Sequence, residues 1–384
     1  MKIFVIGTID NNGGAANISW EIRKRLKADG HTVSTFVRYK YSTEPDVFVI
    51  PRRRYQDWLV KLFANDLTFA KTDYLLKTKE FKEADIVHCH NLHSNFFNLS
   101  TLQKMSLQKP VVWTMHDMWA FTGFPSDSAT LKNPNKKRFL LYLWDNTRSL
   151  LNKKRKIYKK SKILVVAVSD WIKKELESSI LKNQTIIRIH NGVDTEIFKP
   201  HEKISARKEL GLPLDKKIIA FGIKGWENSN KIIDEYKNNN SLFFVAIGHS
   251  NIKTDNKNYQ STPYTQDKVL LSRYFSAADI FFYPTPGDSF GLISTEAMSC
   301  GTPVVTYDVD ALPETVIHKE TGYIAKYKDI KDLKAGVDYI LNLSKDDYAL
   351  MSSKARERIL NNFSCEKMYQ GYLSLYKKIL SKIE

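Results

Sequence analysis

Asp288 and Glu296 stand with seven residues between them in Pro284-Thr285-Pro286-Gly287-Asp288-Ser289-Phe290-Gly291-Leu292-Ile293-Ser294-Thr295-Glu296. Pro and Gly end the apolar run 280–283, and Ser289 or Asp288 is placed to cap a helix running to about Met298. Asp288 then lies at the positive helix end and Glu296 about two turns on. Two carboxylates so placed can accept hydrogen bonds from vicinal hydroxyls, a common way to hold a ribose or hexose. A helix cap and a solvated glutamate are the plain alternative.

Three histidines, His88, His90 and His93, follow a short apolar run, and His116 follows another in Trp113-Thr114-Met115-His116-Asp117-Met118-Trp119. Only His88 and His90 alternate onto one face of a strand, and no carboxylate accompanies them in the spacing of a metal site. They read as polar lining of a cleft, with His116 placed to donate to a bound ligand. A satisfied structural histidine is the neutral alternative. The first βα turn, Gly7-Thr8-Ile9-Asp10-Asn11-Asn12-Gly13-Gly14-Ala15-Ala16, sets glycines at a helix N-terminus, where backbone N–H groups favour phosphate. It has neither dinucleotide-site nor P-loop spacing, so a plain turn explains it as well.

The elements that must carry these groups alternate from the first residue. Runs at 2–6 and 33–37 flank a helical stretch with Ile18, Ile22 and Leu26 on one face. Apolar runs recur at 86–87, 111–113, 163–168, 186–189, 218–221, 242–247, 280–283 and 304–306. Short buried strands between helices predict parallel sheets in an α/β fold. Around 198–215 the sequence turns polar, with Pro200, Gly211 and Pro213, and the alternation then restarts. The expected organisation is a domain at 1–200, a second at 201–365 and a terminal helical segment at 366–384 that packs back on the first domain. Two doubly wound domains predict a central cleft facing the strand C-termini.

With 384 residues, 42% hydrophobic and 26% charged, the chain suits two globular domains and excludes wholesale disorder or a disulfide-framed miniprotein. No apolar run approaches the roughly 20 residues of a membrane span, and the N-terminal run reads as a strand and not a secretion signal. Cys89, Cys300 and Cys365, an odd number at unrelated spacings, suit reduced thiols and a cytoplasmic location. The net charge of +17 is lopsided: residues 1–200 hold 34 Lys+Arg against 19 Asp+Glu, and the remainder 25 against 23. Residues 132–162 hold twelve basic side chains and one acid, Asp145, around the apolar run 139–144. That asymmetry predicts an anionic partner, either nucleic acid or a membrane surface, unless it is merely a solvated helix face.

At the Asp288–Glu296 motif, with Glu296-Ala297-Met298 and Cys300-Gly301-Thr302-Pro303-Val304-Val305 following, the chain resembles the E-x7-E signature of retaining glycosyltransferases of family 4, which have the GT-B fold. Asn191-Gly192-Val193-Asp194 with Phe198, Tyr274-Phe275-Ser276-Ala277-Ala278-Asp279, Pro313-Glu314 and Thr321-Gly322-Tyr323 resemble further landmarks in the family's order. Gly13-Gly14-Ala15-Ala16 and the run from Thr114 through Phe121-Thr122-Gly123 resemble its bacterial surface-polysaccharide branch.

The resemblance implies transfer of a sugar from a UDP- or GDP-linked donor, with retention at the anomeric carbon. It makes Glu296 the acceptor of ribose hydroxyls. Asp288 and the backbone around Phe290, Gly291 and Leu292 hold donor sugar and phosphate, with Gly13 and Gly14 at the donor from the first domain. His116 faces the transferred sugar. Lys231, and Lys224 in place of the usual arginine, neutralise the leaving diphosphate, so that no metal and no cofactor beyond the nucleotide sugar is expected. The loop departs from the family's, Asn230 and Ile232 replacing Arg and Gly, and lysine cannot reproduce a bidentate guanidinium.

The expected protein is therefore a glycosyltransferase of surface-glycan assembly, with a glycan or lipid-linked acceptor. It would lie in the cytoplasm or peripherally on the inner face of the membrane, with Lys153, Lys154, Arg155 and Lys156 touching anionic lipid. The rivals are a sugar-nucleotide epimerase or inactive partner subunit of the same fold, and a basic nucleic-acid-binding protein that carries no RNA-module signature.

Overall fold

The computed structural model describes residues 1–52, 54–63, 65–123, 147–222, 225–248 and 257–382. The chain forms two compact units, Met1–His190 with the chain from Met368 onward, and Asn191–Lys367. Each is built on one parallel sheet.

The first sheet comprises β1 (Lys2–Ile9), β2 (Thr32–Tyr39), β3 (Val47–Val49), β4 (Ile86–Cys89), β5 (Val111–Met115), β6 (Ile163–Ala167) and β7 (Thr185–Arg188), in the order β3-β2-β1-β4-β5-β6-β7. Every neighbouring pair is parallel. The central strands β4 and β5 are buried along their whole length, which explains why they read as continuous apolar runs without alternation. Strand order reverses between β1 and β4, the topology that in open α/β sheets puts the ligand crevice at the strand C-terminal ends. The last helix, Cys365–Leu380, sets Tyr372 and Tyr376 against β4 and β5: Tyr376 Oη lies 2.7 Å from His88 Nδ1 and Tyr372 Oη 3.0 Å from Thr114 Oγ1.

The second sheet comprises β8 (Lys217–Phe221), β9 (Leu242–Ala246), β10 (Tyr259–Ser261), β11 (Ile280–Tyr283), β12 (Val304–Tyr307) and β13 (Gly322–Ala325), in the order β10-β9-β8-β11-β12-β13. Its reversal falls between β8 and β11, the strands before the lysine loop and before the two-carboxylate motif. Asn191-Gly192-Val193 opens this unit by pairing with its far end. Val193 donates to the Phe363 carbonyl at 2.8 Å and accepts from Cys365 at 2.8 Å. A Cβ on Gly192 would stand 2.6 Å from the Cys365 Cα, so only glycine permits that approach. The buried pair of Arg207 and Asp279, at 2.8 Å, ties the helix Lys203–Glu209 to the start of β11.

Among the described residues no helix is long and apolar enough to cross a membrane.

Candidate active site

In the second unit, β11 delivers the chain to Pro284, and the residues that follow form a tight loop organised by Asp288. Its Oδ1 accepts from the amides of Phe290 (3.1 Å) and Gly291 (2.8 Å), and Tyr283 Oη donates to its Oδ2 at 2.7 Å. The helix expected from Asp288 or Ser289 begins later, at Leu292–Ser299, with Gly291 as its N-cap. Gly291 holds φ +81°, and a Cβ there would stand 2.6 Å from Leu312 Cδ2. An Asx turn followed by a left-handed glycine thus competes with the simple side-chain cap, and the helix starts three residues further on. Two of the three backbone amides expected to face a phosphate, those of Phe290 and Gly291, are occupied by Asp288. The amide of Leu292, first of the helix, has no partner among the described residues.

Glu296 sits on the second turn of that helix and is half-buried, with no donor to its carboxylate among the described residues. Burial raises its carboxyl pKa to about 7, with Lys268 pulling the other way. A desolvated carboxylate without protein partners is a group prepared to accept hydrogen bonds from something else. Asp288 and Glu296 therefore differ in state: one is engaged by its own loop and the other is open.

The loop after β8 runs alongside. Gly222 lies against Ile293 of the same helix, a Cβ there standing 3.2 Å from Ile293 Cδ1, and Gly225 abuts Pro284. Gly225 caps the helix Trp226–Glu235, on which Lys231 is exposed and makes no ion pair among the described residues. Lys224 lies outside the described residues. The sequence reading missed Gly225 and Tyr283. Their signals were a glycine directly before a helical stretch and a tyrosine ending an otherwise aliphatic and phenylalanine run.

In the first unit the end of β1 and the loop after β4 meet at the reversal of strand order, where Thr8 Oγ1 donates to the Asn91 carbonyl at 3.0 Å. Gly13 caps the helix Gly14–Ala28 with φ +95°, and Gly13 and Gly14 are both exposed at its N-terminus. Asp10 is buried and its two oxygens accept from the amides of Tyr41 (2.9 Å) and Ser42 (2.8 Å). Burial works against its charge, but these hydrogen bonds outweigh it and hold its pKa below the usual value.

His116 emerges from the C-terminal end of β5, and its Nε2 lies 2.9 Å from His90 Nδ1. His88 is buried, with its two ring nitrogens 2.7 Å from Tyr376 Oη and 2.8 Å from Thr114 Oγ1. Desolvation lowers the pKa of His88 to about 3 and that of His116 to about 4, so both are neutral at physiological pH. His93 pairs with Asp117 at 3.1 Å. Burial opposes its charge, and the Asp117 carboxylate outweighs burial and raises its pKa. The histidines thus divide into a neutral group at the C-terminal ends of β4 and β5 and one paired with a carboxylate beside it.

The basic helix Thr147–Lys159 corrects one expectation. Lys154 is fully buried: its ammonium donates to the carbonyls of Trp119 and of Thr122 (3.0 Å to the latter) and lies 4.0 Å from the Trp119 ring centroid. It is a pin for the loop after His116 and cannot reach a membrane. The helix turns its Leu150, Lys154, Ile157 and Tyr158 side inward, so Lys154 follows the apolar face and not the charged one. Arg155 and Lys156 are exposed and Lys153 half-buried. The apolar run 139–144 lies outside the described residues.

Comparison with known proteins places these features. Residues 12–197 match the profile described as Glycosyltransferase Family 4, and residues 224–358 match Glycosyl transferases group 1. The D-inositol 3-phosphate glycosyltransferase of Mycobacterium tuberculosis is 26% identical over 210 residues, which are 50% of this chain and 44% of that relative. The chain thus spans less than half the length of the curated relatives it matches. Sucrose-phosphate synthase from Thermosynechococcus elongatus has the same fold, with a TM-score of 0.73 at 19% identity over 99% of both chains. So does Anabaena HepE, whose crystal structure is a complex with UDP-glucose, with a TM-score of 0.70 at 16% identity over 100% of both chains. Two Rossmann-like domains of the GT-B type are the shared architecture.

Proposed function

The chain belongs to glycosyltransferase family 4, and on that premise we propose that it moves a sugar, with retention of anomeric configuration, from a nucleotide diphosphate sugar to a glycan or lipid-linked acceptor in surface-polysaccharide assembly. The observation that supports this reading most is Glu296: a half-buried carboxylate with no donor among the described residues, on the helix that follows β11 at the strand-order reversal of the second unit, suits the two vicinal hydroxyls of a ribose. UDP-glucose in the crystal structure of Anabaena HepE supports a nucleotide-sugar donor.

In this reading the Leu292 amide and the positive end of its helix face the donor phosphates, with Lys231 and Lys224 as the cations that neutralise the leaving diphosphate. Asp288 keeps the loop in shape and offers its remaining lone pairs to the sugar. In the first unit, Gly13 and Gly14 lie at the donor and His116 donates to the transferred sugar. The chemistry needs no metal, because fixed cations and helix N-termini stabilise the departing charge. The enzyme works in the cytoplasm or peripherally on the inner face of the membrane.

A panel of UDP- and GDP-sugars tests the donor by thermal shift, since a ligand at 100 times its Kd adds about 2.7 kcal/mol of stability. Product anomers read by NMR then test retention. No stabilisation by any nucleotide sugar overturns the reading. Epimerised nucleotide sugar formed without an acceptor points to an epimerase instead.

A further inference from the structure

The main chain of His90 is pinned on two sides: its amide donates to the Ile6 carbonyl (2.9 Å), and its carbonyl accepts from Trp113 Nε1 (2.8 Å). Its ring lies between two others, 4.1 Å from the His88 centroid and 5.2 Å from that of His116. His90 is buried, and burial together with the neighbouring imidazoles drives its pKa well below the ordinary value. His90 and His116 therefore meet as two neutral rings, and only one of the facing nitrogens, His90 Nδ1 or His116 Nε2, carries the hydrogen between them.

The direction follows from the far nitrogens. If His116 donated, the His90 proton would sit on Nε2 of the ring that is 3% exposed, where water reaches an N–H less readily than at the half-buried ring of His116. A buried N–H without an acceptor is the more costly arrangement, whereas an imidazole lone pair without a donor is better tolerated. If His90 donates, the His116 proton sits on Nδ1, which has no partner among the described residues and belongs to the ring that is only half-buried.

We infer that His90 is a positioning residue: its Nδ1–H donates to His116 Nε2, fixing His116 as the Nδ1–H tautomer, so that this N–H is held ready to donate to an oxygen of the transferred sugar. The inference rests on the reading of His116 as the sugar-facing group. It adds that a buried neighbour of His116 decides which hydrogen His116 presents. His88 completes the arrangement by packing against the His90 ring at 4.1 Å between centroids, its own nitrogens being satisfied by Tyr376 and Thr114.

The test uses the full chain with ¹⁵N-labelled histidine and long-range ¹H–¹⁵N correlation spectra, His116→Gln supplying the assignment. A His116 Nδ1–H tautomer in the wild type, lost or mixed in His90→Phe, is the expected result. An Nε2–H tautomer in the wild type overturns the inference even if the protein is an active glycosyltransferase. In kinetics, His90→Phe is expected to lower kcat at least about tenfold, the direction seen when a general base is left in the wrong tautomer, with the KM for the donor unchanged. His90→Asn, whose amide N–H can take the place of Nδ1–H, is expected to restore most of the rate and controls for folding. Equal rates for wild type and His90→Phe, or no rescue by a folded His90→Asn, overturn the positioning role. Unimpaired transfer by His116→Ala overturns the sugar-facing reading of His116, while the spectra still decide the tautomer.

Discussion

A Cβ on Gly225 would stand 2.3 Å from the carbonyl oxygen of Pro284. Gly225 caps the helix that carries Lys231, in a left-handed conformation with φ +81°, and Pro284 is the first residue beyond β11. Backbone contact at this point joins the lysine loop to the two-carboxylate loop, and it exists only because position 225 has no side chain. The relative placement of the open Glu296 and the candidate phosphate cations therefore depends on a residue with no chemistry of its own.

Gly225→Ala is expected to retain the fold and weaken the donor site. The left-handed backbone costs an alanine about 1 kcal/mol, and the clash with Pro284 must be relieved by moving one of the two loops. Nucleotide-sugar affinity measured by calorimetry should fall about tenfold or more, the scale of a 1.4 kcal/mol loss. Wild-type affinity in the folded variant would show that the two loops bind independently.

Glu296 predicts a pH dependence with a definite sign. Its carboxyl, raised to about 7 by burial, must be ionised to accept from two hydroxyls. Each nucleotide bound below that value therefore has to displace a proton. Affinity should be full above pH 7 and weaken about tenfold per unit as pH falls below it. Glu296→Gln should bind weakly and almost independently of pH between 6 and 8. For the free protein the sign is opposite: a raised carboxyl pKa favours the folded state at low pH, and that contribution is lost as pH rises from about 4.5 through 7. A flat affinity profile in the wild type would remove Glu296 from ribose binding.

How much of this was legible in the sequence depends on burial. The strands read in advance include the buried centres of both sheets, where solvent touches neither face and the sequence is continuously apolar. The three strands missed, Val47–Val49, Tyr259–Ser261 and Gly322–Ala325, are all at sheet edges, short and partly exposed; Tyr259-Gln260-Ser261 has no apolar run to read, while Val47-Phe48-Val49 is apolar but only three residues long. The site followed the same division. Spacing brought out Asp288, Glu296 and His116, but not that Asp288 spends its oxygens on Phe290, Gly291 and Tyr283, since those bonds arise from a left-handed Gly291 three residues on. Lys154 misled for a different reason: its spacing from Leu150, Ile157 and Tyr158 puts it on the apolar face of the helix, and the count of basic residues around it hid that periodicity.

Lys231 and the metal question share one experiment. If fixed cations neutralise the leaving diphosphate, EDTA leaves turnover unchanged, and Lys231→Ala lowers kcat by roughly two orders of magnitude, on the scale of a lost transition-state stabiliser. Loss of activity on chelation, restored by Mg²⁺ or Mn²⁺, would sink the metal-independent reading. A fully active Lys231→Ala variant would remove that lysine from the site.

Lys154 is expected to matter for stability and not for lipid. Removing its ammonium in Lys154→Met leaves the Trp119 and Thr122 carbonyls without their donor and removes a cation that acts on the Asp66 and Asp117 carboxylates. A loss on the order of 3 kcal/mol is the scale for breaking such a buried polar group. Urea denaturation measures it, and an unchanged midpoint would mean that the loop is held by its apolar contacts alone.

Membrane attachment has two candidate sources on the first unit. One is the charge that remains on the helix Thr147–Lys159 once Lys154 is set aside: Lys153, Arg155 and Lys156. The other is the helix Arg54–Phe63, whose Tyr55, Trp58 and Leu62 share one face and are 42%, 62% and 37% exposed, while Gln56 and Val60 on the opposite face are buried. Arg52, just before this stripe, is largely buried and pairs with Asp57, so the stripe's own attraction is apolar. Each lysine or arginine near such a surface contributes about 1 kcal/mol, so replacing Lys153, Arg155 and Lys156 with Gln should weaken vesicle binding about 100-fold if they touch lipid. Trp58→Ser should weaken it about tenfold and reduce its insensitivity to salt, because the inserted ring is the part of the attraction that salt does not screen. Co-sedimentation with vesicles containing anionic lipid separates the cases. Loss only in the triple variant assigns attachment to the basic helix, and loss only in Trp58→Ser assigns it to the aromatic stripe. Wild-type protein that stays in the supernatant at low salt refutes attachment altogether and leaves the transfer chemistry where it stands.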